Sequence, residues 1–236
     1  MSTLLLRLAA PLQSWGVDSR FDRRLTERCP TKSGVIGLIA AALGRKRNED
    51  ISDLNQLCFG VRIDRGGTLL RDYHTAKSQK SAYVTHRYYL SDAVFLCGIE
   101  GSEALLIEIE QAFKAPMFPP FLGRRSCPPE GKLVLGIREG KSLTTALQEE
   151  PWLLNEWSKT REDASVELRI VVEAERQHPS AVFMRDLPVS FNQEYRKYGF
   201  RSLVEAPPKY IQNSESRRFI IGKSTMHDPM LELEGE

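Results

Sequence analysis

Apolar and polar positions follow two periods along the chain. Leu4 to Ala10 is a nearly continuous apolar run closed by Pro11, the pattern of a buried strand. From Ser33 the period changes: Val35, Ile36, Leu38, Ile39 and Leu43 fit a helix capped by Ser33 and terminated at Gly44. That helix is apolar almost all round, so it is expected to be buried, with Gly34 and Gly37 allowing close packing. Phe59 to Asp64 predicts a second strand, Arg65-Gly66-Gly67 a turn, and Tyr88 to Ile99 a third strand. Ser102 opens a second helix through Leu105, Ile109 and Phe113, stopped before Pro116, and Leu133 to Ile137 is a fourth strand. The order β-α-β-β-α-β predicts an α+β, ferredoxin-like (RRM-like) domain over residues 1–140.

Two segments depart from a minimal domain of that kind. Residues 66–88 are too many for a simple connection between strands two and three. They carry Arg71, Lys77, Lys80 and Arg87 against one acid, Asp72, interleaved with Tyr73, His74, Tyr83, His86 and Tyr88. Cations mixed with rings suit single-stranded nucleic acid, the cations tracking phosphates and the rings stacking on bases. The alternative is a hairpin whose tyrosines pack on its own sheet. The second segment is residues 141–236, expected as a small β-rich C-terminal domain. It starts with a short helix from Ser142 halted by Pro151. A strand follows over Val166 to Glu173, with Val166, Leu168, Ile170 and Val172 inward, and a last strand is expected at Arg218 to Gly222.

Composition excludes little. The chain has 236 residues, 41% apolar and 27% charged, enough for a substantial core. A net charge of +2 is too small to argue for nucleic acid, but the charge is uneven. Basic residues cluster at Arg20 to Lys32, Arg71 to Arg87 and Arg124-Arg125, while Leu231 to Glu236 is acidic. The four cysteines, Cys29, Cys58, Cys97 and Cys127, form no C-x-x-C pair, so no zinc ribbon, metal or other cofactor is expected. Cys58 and Cys97 sit in apolar runs and read as buried thiols. With no secretion signal or membrane-length apolar run, the chain is expected in the cytoplasm, without a membrane partner.

The stretch Pro119 to Pro128 offers the clearest candidate chemistry. Gly123 can bend or approach a ligand, Arg124 and Arg125 place two planar cations beside it, and four prolines stiffen the flanks. A phosphate fits such a turn; a solvated surface loop is the plain alternative. Lys32 and Ser33 at a helix N-terminus could also hold a phosphate, or be a cap beside a solvated lysine. Gln13 and Trp15 follow the first strand, where an amide could read a base edge and an indole could stack, or the indole could lid the core. The aromatic motif of ordinary ferredoxin-like RNA readers, R-G-F-G-F-V-x-F, is absent. RNA is therefore expected on loops and the 66–88 insertion, not on the sheet face.

Four segments, Arg7 to Gly16, Pro30 to Leu38, Arg71 to Thr75 and Leu122 to Pro128, closely resemble the CasD family, subunits of the type I-E CRISPR surveillance complex, Cascade. Met184 to Phe191 and Arg218 to Lys223 are similar to that family's closing segment, with a charged and aromatic stretch, Asn192 to Ser216, between them. The resemblance implies a ferredoxin-like body with 66–88 as a thumb-like hairpin, holding the 5′ handle of the guide RNA. It implies CasC-type backbone subunits and a CasA-type large subunit as partners, and target DNA only through the assembled complex. The implied RNA-binding residues are Gln13, Trp15, Lys32, Ser33, Arg71, Tyr73, His74, Arg87, Arg124 and Arg125. Related subunits of type I-C systems cut precursor RNA with Tyr, Lys and His, the Lys and His adjacent, and this sequence has no Lys-His pair. A non-catalytic role is therefore expected. A metal-independent endoribonuclease is the alternative, and a DNA-phosphate-binding scaffold is the third reading.

Overall fold

The computed structural model describes residues 1–16, 23–77, 81–175 and 177–218. The N-terminal third holds β1 (Ser2–Ala9), the short strands β2 (Leu12–Gln13) and β3 (Arg23–Arg24), helices α1 (Lys32–Ala42) and α2 (Ser52–Asn55), and β4 (Cys58–Arg65). A long pair follows, β5 (Thr68–Lys77) and β6 (Ala82–Ser91), then β7 (Val94–Gly101), α3 (Glu103–Lys114) and β8 (Val134–Arg138). Helices α4 (Leu143–Glu149) and α5 (Glu156–Lys159) precede β9 (Ser165–Glu173), β10 (Val182–Ser190) and β11 (Lys197–Gln212).

The larger sheet runs β10-β11-β9-β4-β7-β1-β8. β1 pairs antiparallel with both β7 and β8, and β4 pairs antiparallel with β7. Side-chain alternation explains the nearly continuous apolar run of β1, interrupted by Arg7: both faces are buried. Leu4, Leu6 and Leu8 join the cluster of α1 and α3, which includes Val35, Ile36, Ile39, Leu106 and Ile109. Leu5, with Leu96, joins the opposite cluster, under Leu143, Ala146 and Leu147 of α4. The helix α4 approaches closely because Gly60 and Gly98 pair directly beneath it. A Cβ on Gly98 would lie 2.6 Å from Leu143 Cδ1.

Helix α1 is capped two residues earlier than the sequence suggests: the Thr31 hydroxyl, not Ser33, accepts from Gly34 N at 3.2 Å. Gly44 ends the helix region at φ +79, as expected of a left-handed C-terminal residue. The anticipated strand Tyr88 to Ile99 is two strands, because Asp92 adopts φ 56 between β6 and β7. Aspartate tolerates that conformation better than most residues, and the chain changes sheet there. The smaller sheet holds β2-β6-β3, with β5 on β6.

The strands after residue 141 do not build a sheet of their own. β9 pairs with β4 (Gly60↔Val172, Arg62↔Ile170), and β10 and β11 extend the same sheet. Backbone contacts divide the chain into Met1–Leu153 with Leu168–Lys209, and a smaller unit of Leu154–Glu167 with the described residues from Tyr210 on. A boundary at 140/141 therefore falls inside the larger unit. Within the smaller unit, Asn213 Nδ2 donates to the carbonyls of Lys159 and Asp163. The strand expected at Arg218 to Gly222 lies outside the described residues beyond Arg218, as do the acidic Leu231 to Glu236, Arg20 and Lys80. Cys97 is buried, but Cys58, at the first position of β4, is exposed. No helix among the described residues is long and apolar enough to cross a membrane.

Candidate nucleic-acid interface

The turn after β1 is sealed from inside. Gln13 is 0% exposed; its Nε2 donates to the carbonyls of Leu8 and Ala93, and its Oε1 accepts from Trp15 Nε1 at 3.1 Å. Trp15 is buried against Gly34, where a Cβ would lie 2.8 Å from the indole. Every polar atom of this pair is satisfied within the chain, so the structure places Gln13 and Trp15 as a core lid, not a base-reading surface. Gly123 makes its close approach here too: at φ +89, a Cβ would sit 1.6 Å from the Ser14 carbonyl oxygen. The glycine turn thus docks on its own chain, with Ser14 N donating to Leu122 O, and so fixes where the following arginines stand.

Lys32 is likewise an interior residue. Its Nζ donates to Leu57 O at 2.7 Å and pairs with Glu173 Oε1 at 2.9 Å. The helix N-terminus expected to hold a phosphate already has an anion: Lys32 N donates to Asp186 Oδ2 at 2.8 Å. Arg201 completes the group, its Nε and Nη2 donating to Asp186 at 2.5 and 2.7 Å. Ser33 is buried beside Thr31, its Oγ 3.4 Å from the Thr31 hydroxyl. A lysine satisfied on all sides by carbonyls and a carboxylate has nothing left for RNA.

The remaining candidates meet around β6. Register places Arg24 beside Arg87 on one face of β6 and Arg23 beside His86 on the other. From the 119–128 turn, Arg124 Nη2 donates to Arg24 O at 2.8 Å, and its guanidinium lies over the Tyr89 ring, 4.6 Å from the centroid. Burial alone would raise the Tyr89 phenol. The Ser126 hydroxyl and the Arg124 and Arg87 guanidiniums beside it outweigh burial and hold it below the ordinary tyrosine range. Three polar atoms here are out of water without a hydrogen-bond partner: Arg87 Nε, Arg124 Nη1 and His86 Nδ1. Orphaned donors on charged groups are costly, about 1–3 kcal/mol or more each, and they mark where an external acceptor would be most welcome. Arg125, next in sequence to Arg124, is exposed.

The β5–β6 pair extends this cluster outward. Arg71 faces Tyr88 and Tyr73 faces His86 across the ladder, so these four share one face. Tyr73 is 66% exposed and meets the His86 ring edge-on at 5.9 Å between centroids. His74, opposite Thr85, lies on the other face with Asp72 and Arg87. Arg24 and Ser126 belong to the cluster although no motif singled them out. The basic run from Arg20 to Lys32 pointed toward the first. Tyr89 was hidden within an apolar run. Among the described residues, no three His, Cys, Asp or Glu side chains are grouped to hold a metal.

Comparison with known proteins gives concordant matches. The family model described as CRISPR-associated protein (Cas_Cas5) matches residues 3–204. The chain is 37% identical over 170 residues to the CRISPR system Cascade subunit CasD of Escherichia coli (strain K12), covering 62% of this chain and 75% of that protein. A solved structure described as a crystal structure of Cas protein is 40% identical, with a TM-score of 0.69, covering 91% of this chain and 97% of the other. A chain of a CRISPR RNA-guided surveillance complex is 32% identical, with a TM-score of 0.73, over 89% of this chain and 90% of its own length.

Proposed function

The chain belongs to the Cas5 family of CRISPR-associated proteins, and from that premise we propose that it is a non-catalytic, guide-RNA-binding subunit of a type I-E Cascade complex. In this reading β4-β7-β1-β8 with α1 and α3 is a ferredoxin-like body, and β5–β6 is the thumb. The subunit holds the 5′ handle of the guide, caps a filament of CasC-type subunits and adjoins a CasA-type large subunit. It meets target DNA only through the assembled complex, in the cytoplasm. The observation that carries the RNA assignment is the group Arg24, Arg87 and Arg124 around β6, with Arg87 Nε and Arg124 Nη1 lacking an acceptor. Phosphates supply such acceptors, and Tyr73 with Arg71 on the opposite face of the β5–β6 pair offers a stacking ring beside a cation.

A cleaving role needs a base, a proton donor and a cation around one phosphate. His74 and His86 occupy opposite faces of the β5–β6 pair. Lys77 lies four residues beyond Tyr73, roughly 13 Å along an extended strand. That separation supports a holding role. Competition between handle-bearing guide RNA and an unrelated single strand of equal length, in metal-free buffer, tests it. The handle should compete better and remain intact. Equal competition would leave only a generic phosphate-binding scaffold, and discrete cleavage products would replace the holding role with the endoribonuclease.

A further inference from the structure

The stretch Tyr195-Arg196-Lys197-Tyr198-Gly199-Phe200-Arg201 contains cations and rings in alternation, and nothing in the β6 interface uses it. β11 carries most of it, at the outer end of the larger sheet, next to the edge strand β10. Alternation along β11 puts Tyr198, Phe200, Ser202 and Val204 on one face and Arg201 on the other. The two faces have different fates. Arg201 turns toward α1, with its guanidinium 5.0 Å from the Phe59 ring centroid and its ion pair to Asp186. Val204 packs into the cluster beneath α4. Further out on that same face the cover ends.

Phe200 there is 57% exposed and Phe183, which β10 sets opposite Ser202, is 60% exposed. Between them the Ser202 hydroxyl is buried with no partner. Arg185 on β10 and Tyr195 and Arg196 just before β11 are exposed, while Lys197, also exposed, shares the face of Arg201. Two phenylalanines left in water on a sheet face are unfavourable unless something covers them. The neighbours decide what. An apolar protein partner is poorly matched to a cationic rim, whereas an unpaired nucleic-acid strand needs both elements, bases for the rings and phosphates for the cations. Aromatics two residues apart on one strand face, separated by a glycine, are also how RNA-reading sheets present successive stacking rings.

We infer that the outer face of β10 and β11 is a second binding surface, for single-stranded nucleic acid, separate from the β6 cluster. Phe183 and Phe200 stack on bases, while Arg196 holds the backbone. The sequence expectation confined nucleic acid to loops and the 66–88 insertion; this face adds a sheet surface to them.

The test uses the full chain and a labelled oligouridylate of about 15 nucleotides, long enough to span one such face. Phe183→Ala and Phe200→Ala should each weaken binding roughly 5- to 150-fold, and the double variant by roughly 30-fold or more, with an unchanged salt slope, as for one and two lost stacking contacts. Arg196→Ala should instead lower the slope by ~0.7, as for one lost phosphate contact. The oligouridylate should still bind an Arg87→Ala/Arg124→Ala chain, which separates this surface from the handle interface. Oligodeoxythymidylate in parallel distinguishes RNA from DNA as the natural strand. Photo-crosslinking of a bromouridine oligomer to the unsubstituted chain, independent of any variant's folding, should label residues within 183–200. Wild-type binding by both the aromatic double variant and the Arg196 variant would overturn the inference. So would crosslinks confined to β3, β5 and β6, or an aromatic variant that changes only the oligomeric state.

Discussion

Gly123→Ala should cost the protein a large part of its stability, about 3–5 kcal/mol, in the range reserved for severe backbone conflicts. Two effects combine. At φ +89 any side chain is strained by about 1–2 kcal/mol, and the new methyl would meet the Ser14 carbonyl oxygen at 1.6 Å, so the 121–127 turn must move bodily. That turn also supplies Arg124 to Tyr89 and Arg24. The folded fraction should therefore bind guide RNA less tightly as well. Gly140→Ala is the control: φ is +66 but nothing lies within 4 Å of the added carbon, so only the conformational cost remains. Thermal unfolding midpoints of the two variants should differ by several degrees. Matching midpoints would mean that the turn does not dock on Ser14 as described.

Asp186→Ala should be the second severe substitution. Asp186 is 0% exposed and takes three donors, Lys32 N and the Nε and Nη2 of Arg201. Removing the carboxylate leaves a buried guanidinium and a helix N-terminus without their anion, and only Glu173 to share with Lys32 and Arg201. Breaking one partner of such a group typically costs about 3–5 kcal/mol. Because the network joins β10 and β11 to α1, hydrogen exchange should rise first in those elements. Guide-RNA affinity per folded molecule and its salt slope should stay as they were, since none of the four residues faces the β6 cluster. A salt-slope change with normal stability would restore Lys32 as an RNA contact.

What the sequence disclosed and what it concealed divide along one physical line. The elements with local signals, β1, α1, α3 and the glycine-arginine turn, were legible from periodicity, caps and composition. The roles of single residues inside them were not. Lys32 has the same sequence neighbours whether a phosphate or Asp186, 154 positions away, lies at its amide. Gln13 and Trp15 look like an exposed turn until Leu8, Ala93 and Gly34 close around them. The break at Asp92 needed a positive φ that its side chain permits but does not announce. The pairing of β9 with β4 joins segments more than a hundred residues apart, and no local pattern encodes it. The two-residue β3 is too short to show a period, yet it brings Arg24 to the interface.

The central claim is that the arginines around β6 contact guide-RNA phosphates. Affinity for guide RNA, measured over a series of salt concentrations, tests it for the unsubstituted chain and for Arg87→Ala/Arg124→Ala. Both side chains are partly exposed, so the variant should fold. The account predicts weaker binding at every salt concentration and a slope in log affinity against log salt that falls by about 1.4, or ~0.7 for each lost phosphate contact on a single strand. Parallel lines with equal affinities would contradict it, and the arginine cluster would then be a structural feature of the β6 sheet.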